Sequence, residues 1–65
     1  MSNIWIECKP VEFGHNRNSL AVVVDNKVIH LPYRFVLDVD REEDTGELCG
    51  VKIPKWLAID RHIDV

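Results

Sequence analysis

The sequence predicts an α+β protein that is mainly β: a small twisted antiparallel sheet, or a half-open barrel of about four or five strands, closed by one C-terminal helix. Two observations carry this prediction. Before residue 54, apolar and polar residues alternate in several short segments with the period of two that is typical of strands. From Pro54 onward the spacing becomes helical, and proline suits the first turn of a helix because its missing N–H would be unpaired there anyway.

The first predicted strand covers residues 4–8, in which apolar residues occupy every second position. Pro10 weakens this strand into a sheet edge or a bulge, because proline cannot donate to a strand ladder. Residues 13–19 contain glycine, asparagine and serine and predict a loop.

A hairpin is predicted where residues 20–24 and 28–31, both rich in β-branched side chains, flank Asp25 and Asn26. Both turn residues tolerate the positive φ that a tight turn requires. A two-residue turn would put four apolar side chains on one face: Leu20, Val22, Ile29 and Leu31. The other face would carry Ala21, Val23, Val28 and His30, so both faces are largely apolar and need cover.

Strict alternation after Pro32 predicts a strand at residues 33–39, and a similar pattern predicts the last strand at residues 48–53. The side chains of the first of these expected to face the core are Tyr33, Phe35, Leu37 and Val39. The helix is predicted at residues 54–62. Its buried stripe is expected to contain Trp56, Ile59 and Ile63.

The length of the chain predicts one small domain over residues 1–65. A domain of about 60 residues buries only roughly 60% of the surface of its unfolded chain, which leaves little room for buried chemistry. The N-terminus lacks the pattern of a secretory signal, and the longest apolar run is too short to span a bilayer. We therefore expect a cytoplasmic protein that does not enter membranes and whose two cysteines are reduced.

Short motifs give no support for catalysis or for a bound metal. Asp44-Thr45-Gly46 has the composition of an aspartic protease triplet, but it lies in a charged segment that a solvated turn explains. A calcium loop counted from Asp38 would need glycine at position 6 and glutamate at position 12, where this chain has Glu43 and Cys49. The cysteines and histidines lack zinc-site spacing. We expect a protein that is not an enzyme and has no cofactor.

Charge distribution supplies the first candidate site. Six of the eleven acidic residues lie within residues 38–47, where Arg41 is the only base. They are Asp38, Asp40, Glu42, Glu43, Asp44 and Glu47. Such a run is usually a solvated loop, and the sharper hypothesis is a patch that steers a basic protein partner toward it.

An alternative is a nucleic-acid accessory protein of replication or recombination. The net charge of −3 opposes sequence-independent binding to phosphates. A basic and aromatic groove would nevertheless form if the fold brought together five residues: Tyr33, Arg34, Lys52, Lys55 and Trp56.

Self-association is predicted from the hairpin with two apolar faces. One short helix cannot easily cover both faces, and a second copy of the chain would solve this problem. Two-fold dimers are the commonest such arrangement, so we expect a homodimer with Ala21, Val23 and Val28 at or near the contact. The alternative is a closed barrel that covers these residues itself.

One resemblance involves residues 28–32, Val-Ile-His-Leu-Pro, and residues 53–58, Ile-Pro-Lys-Trp-Leu-Ala. With the valine-rich strand before them and the amphipathic tail after them, they resemble small uncharacterised proteins of phages and related mobile elements. The resemblance covers about two thirds of the chain, and its motifs carry no chemistry. It implies a compact protein of the host cytoplasm that acts by binding, such as an inhibitor or modulator of a host or defence protein.

Overall fold

The computed structural model describes residues 2–11 and 18–63, which form two small antiparallel sheets and one short C-terminal helix. The strands are β1 (Asn3–Glu7), β2 (Lys9–Pro10), β3 (Ser19–Val24), β4 (Lys27–Pro32), β5 (Asp38–Arg41) and β6 (Leu48–Pro54). A 3-10 helix covers Tyr33–Phe35, and α1 covers Lys55–Asp60. The predicted class, α+β and mainly β, is confirmed. No helix among the described residues has the length and apolar character needed to cross a membrane.

The two sheets are joined by the N-terminal segment. β1 pairs with β6, which pairs with β5, whereas β2 pairs with β3, which pairs with β4. Cys8 is the one residue between β1 and β2, and its N–H donates to the carbonyl of Cys49 at 3.1 Å. The described residues therefore form six strands in two linked sheets, rather than one sheet of four or five strands. The sheets of this part of the chain do not close into a barrel.

The hairpin of β3 and β4 is confirmed, with a two-residue turn. Asp25 and Asn26 have φ values of 51° and 64°, and the register pairs Val24 with Lys27. Positive φ at both positions is the type I′ geometry, whose twist matches that of the flanking strands. Three of the four side chains expected on the core face, those of Val22, Ile29 and Leu31, are buried, and Leu20 packs against the same cluster.

The strand predicted at residues 33–39 is wrong in its first half, because the chain forms a 3-10 turn there. Pro32 ends β4, and the N–H of Val36 then donates to the carbonyl of Tyr33 at 3.0 Å. The strand begins only at Asp38. Of the four side chains expected in the core, Phe35 is half-buried and the others are exposed: Tyr33, Leu37 and Val39.

A β-bulge interrupts the pairing of β5 with β6. Asp40 pairs with Gly50 and Arg41 with Leu48, so Cys49 is the extra residue. The bulge shifts the alternation of β6 by one position, and Leu48 is therefore buried together with Val51. The last predicted strand is confirmed, except that its alternation of buried and exposed side chains shifts by one position at Cys49.

The turn between β5 and β6 accounts for the Asp-Thr-Gly triplet. The N–H of Gly46 donates to the carbonyl of Glu42 at 2.9 Å, and the φ of Gly46 is 72°, which favours glycine. The Oγ1 of Thr45 accepts a hydrogen bond from the N–H of Glu47 at 3.2 Å. Thr45 and Gly46 thus shape a solvated turn.

The helix begins directly after Pro54, as predicted, but its buried stripe differs from the expected one. Leu57 and Ala58 are buried, whereas Trp56 and Ile59 are exposed. Because α1 follows β6 without a connecting loop, the helix packs on the core with the side that faces the sheet, and this side carries Leu57 and Ala58. Ile63 is buried as predicted, although it lies beyond the end of α1.

A Schellman motif ends the helix. His62 adopts a φ of 59°, its N–H donates to the carbonyl of Ile59, and the N–H of Ile63 donates to the carbonyl of Ala58. This reversal turns Ile63 back into the core. Arg61 adds a tie to the second sheet, because its Nε donates to the carbonyl of His30 at 3.1 Å and its guanidinium pairs with Asp60.

Replacing Leu57 by alanine tests the observed helix packing. Leu57 is 1% exposed, so Leu57→Ala should lower the free energy of unfolding by about 2–4 kcal/mol through a cavity in the core. Ile59 is 58% exposed, and Ile59→Ala should change it by less than about 0.5 kcal/mol. Urea unfolding followed by circular dichroism measures both. Equal losses would show that the helix presents a different side to the core.

Candidate functional site

An open groove of about 960 Å³ lies where the two sheets meet. Its described lining contains five carboxylates and one lysine, Lys9, and we call it the acidic groove. The carboxylates come from separate parts of the chain: Glu7, Asp25, Asp40, Glu42 and Glu47. No ion pair within the described residues involves any of them. The groove therefore concentrates negative charge that no ion pair among residues 2–11 and 18–63 neutralises.

Strand pairing positions two of these carboxylates. Glu7 of β1 and Asp40 of β5 both pair with Gly50 of β6, from opposite sides, so the three residues form one row across the sheet. Residues in one row project from the same face. A Cβ atom at Gly50 would lie 3.6 Å from the Cβ of Asp40 and 3.4 Å from the carbonyl oxygen of Ile6. The Trp5 ring also lies 3.9 Å from this position, so glycine lets the indole pack over the strand between the two carboxylates.

Three of the six predicted acidic residues line the groove, namely Asp40, Glu42 and Glu47. The other three do not: Asp38 lies opposite Lys52 in the register, and Glu43 and Asp44 are exposed in the turn. Glu7 and Asp25 were missed by the sequence analysis. No sequence signal marks them, because the pairing of distant strands brings them to the groove.

Both cysteines line the groove as free thiols. Burial, and then the proximity of Cys49, raises the pKa of Cys8 to about 11. The pKa of Cys49 is also raised, first by burial, then by a hydrogen bond to Asp40, and then by the negative charges of Asp40, Glu42 and Glu7. Both thiols are therefore protonated at neutral pH and are poor nucleophiles.

Metal ligands do not converge within the described residues, where no group of three histidine, cysteine, aspartate or glutamate side chains could hold a metal ion. Cys8 and Cys49 are neighbours across the strands. His30 lies on β4 and His62 follows the helix, whereas His15 lies outside the described residues.

Two of the five residues predicted for nucleic acid, Arg34 and Trp56, are linked through Phe35. The guanidinium carbon of Arg34 lies 5.0 Å from the centre of the Phe35 ring. The Phe35 and Trp56 rings meet edge to face, with centres 5.0 Å apart and planes at 84°. We call the surface around this stack the aromatic–basic face: Tyr33, Arg34, Phe35, Lys52, Lys55 and Trp56.

The three residues predicted for self-association differ in exposure. Ala21 is completely buried within the chain, so its side chain offers no surface of its own to a second copy. Val23 is half-buried and lines the acidic groove. Val28, its partner across the hairpin, is 50% exposed.

Comparison of the chain with protein families, curated proteins and solved structures found no match. Function is therefore inferred from the two surfaces. The acidic groove can attract positively charged groups through its unpaired carboxylates. The aromatic–basic face combines exposed rings with cations.

Alkylation of Cys49 tests whether the groove carboxylates surround this thiol. A raised pKa lowers the thiolate fraction at pH 8, so Asp40→Asn with Glu42→Gln should lower the pKa and increase the rate of reaction with iodoacetamide several-fold. Mass spectrometry of the cysteine peptides measures each rate, and Cys8 should stay slow until the pH approaches 11. Glu43→Gln with Asp44→Asn is the control, since neither residue lines the groove. Equal acceleration by both pairs would contradict the described geometry.

Proposed function

We propose that this chain is a small non-catalytic binding protein whose acidic groove receives a basic segment of a partner protein. The observation that carries the proposal is the convergence of five carboxylates with one lysine in a groove of about 960 Å³. Unpaired like charges held on a folded scaffold repel one another. Arginine or lysine side chains of a partner would relieve this repulsion and gain charge-assisted hydrogen bonds.

The resemblance to small phage and mobile-element proteins supports a more specific role. Such a protein would act in the host cytoplasm as an inhibitor or modulator of a host or defence protein. A basic target surface fits this role, because many proteins that handle nucleic acid carry one. A small acidic protein that occupies such a surface would block access to it without any catalytic step.

We also propose that the chain forms a homodimer through the outer side of the hairpin. Val28 is 50% exposed on β4, which is the outer strand of the second sheet among the described residues. An exposed valine beside an outer strand is favourable for contact with a second copy. Arg61, which donates to the carbonyl of His30, restricts this contact to the part of β4 near the turn.

Neutralising the groove tests the proposed function. The triple variant Asp40→Asn, Glu42→Gln and Glu47→Gln removes three negative charges from the groove. Immobilised wild type should retain a basic protein from nuclease-treated bacterial lysate, and the triple variant should lose it. With the purified partner, the association rate should fall roughly 10-fold or more at low salt, and its dependence on salt should weaken.

The matched control is Glu43→Gln, Asp44→Asn and Asp60→Asn, which removes the same charge from outside the groove lining. This control should retain the partner and most of the association rate. If both triple variants lost the partner equally, net charge rather than the groove would be responsible. If neither lost it, the partner would bind elsewhere and the proposal would be wrong.

Sedimentation equilibrium tests the homodimer. Wild type should sediment as a species of twice the 7.5 kDa chain mass, and Val28→Asp should shift it to the monomer by placing a charge in an apolar contact. Lys52→Asp, on the other sheet, serves as the control and should leave the dimer intact. A wild-type mass of 7.5 kDa would end the dimer proposal.

A further inference from the structure

The aromatic–basic face has no role in the proposed binding of a basic partner. It presents cations and ring faces, the reverse of the acidic groove in charge and chemistry. We infer that this face binds single-stranded nucleic acid, with bases stacked on Tyr33 and Trp56 and phosphates held by Arg34, Lys55 and Lys52. The protein would then carry two surfaces with different partners.

The rings of Tyr33 and Trp56 are exposed, and the ring of Trp56 contacts Phe35. Tyr33 is 45% exposed and Trp56 is 46% exposed, although Trp56 was expected in the core. The edge-to-face contact with Phe35, with ring centres 5.0 Å apart, restrains the indole of Trp56, so its exposed part can receive a base without a large loss of side-chain entropy. Stacking of this kind tolerates any base sequence.

The cations of this face are free to bind an anion. Arg34, Lys52 and Lys55 form no ion pair within the described residues. Arg41 and Arg61 instead donate to the carbonyls of Gly46 and His30. Lys52 lies opposite Asp38 in the β5–β6 register, which weakens its attraction for phosphate. Arg34 and Lys55 should therefore contribute more than Lys52.

Distance from the acidic groove differs among the cations of this face. Gly50, which the groove residues Glu7 and Asp40 flank, is two residues from Lys52 and four residues from Pro54, which precedes the helix. At about 3.3 Å per residue, these separations are roughly 7 Å and 13 Å. Screening at 0.1 M salt acts over about 10 Å, so the groove weakens the attraction of Lys52 for phosphate more than that of Lys55.

An acidic peptide is the other anionic polymer to consider. None of the members of the aromatic–basic face lines the acidic groove or the smaller groove beside Trp5. Peptide recognition depends on pockets or an open strand edge. Flat exposed rings beside unpaired cations are instead the arrangement that stacked bases and phosphates use.

Fluorescence anisotropy with a labelled thymidine oligonucleotide of about 12 nucleotides tests the inference. Wild type should bind it, and Trp56→Leu should weaken binding roughly 5-fold or more through lost stacking. Trp56→Phe should keep most of the affinity. Val39→Ala is the control, because Val39 is 40% exposed on β5, lies opposite Val51 and is not a member of the face, so it should affect binding less than 2-fold, or about 0.4 kcal/mol.

Charge variants supply the second measurement. Arg34→Ser and Lys55→Ser should each reduce affinity and flatten its dependence on salt between about 50 and 200 mM. Lys27→Ser, in the hairpin away from this face, should change neither. Circular dichroism must show that each variant is folded.

Three results would overturn the inference. These are no binding by wild type at low salt, equal loss with Val39→Ala and Trp56→Leu, and equal affinity for single-stranded and double-stranded DNA. Tighter binding to a peptide of glutamate and leucine than to the oligonucleotide would assign the face to an acidic protein instead. The groove triple variant should bind the oligonucleotide as wild type does, so failure of this inference and failure of the proposed function are distinguishable.

Discussion

The pairing of residues 3–10 with both sheets is the constraint on which the rest of the structure depends. β1 pairs with β6, β2 pairs with β3, and the N–H of Cys8 donates to the carbonyl of Cys49 at the point where the chain passes from one sheet to the other. Cys8 itself is buried in the core between them. Without β1 and β2, each sheet would be reduced to a two-stranded hairpin, and an isolated two-stranded hairpin is at best marginally stable in water.

The same crossing creates the acidic groove. Because of the bulge at Cys49, the side chain of Leu48 lies in the core and Cys49 lies beside Asp40. Polar and acidic groups therefore line the groove where the two sheets meet. A bulge beside a functional surface is a common way to redirect side chains. In this protein the bulge places the apolar Leu48 in the core and the next residue, Cys49, beside the carboxylates of the acidic groove.

Local chemistry allowed part of this fold to be predicted from the sequence. Asp25 and Asn26 fixed the hairpin because both accept positive φ, and Pro54 fixed the start of the helix. Alternation failed at residues 33–39, since an exposed 3-10 turn and a half-buried strand produce the same pattern there. Glu7 could not be assigned to the groove, because its position depends on pairing with Gly50, more than forty positions away.

The prediction of which side chains of α1 are buried was wrong for a related reason. The sequence offers two sets of apolar positions on α1, and Trp56 and Ile59, which share helical spacing with Ile63, were assigned to the core. The core instead contains Leu57 and Ala58 from the other set. Trp56 and Ile59 therefore remain at the surface, where Trp56 contacts Phe35. This packing leaves aromatic area exposed at the start of the helix, where it is available for the proposed binding.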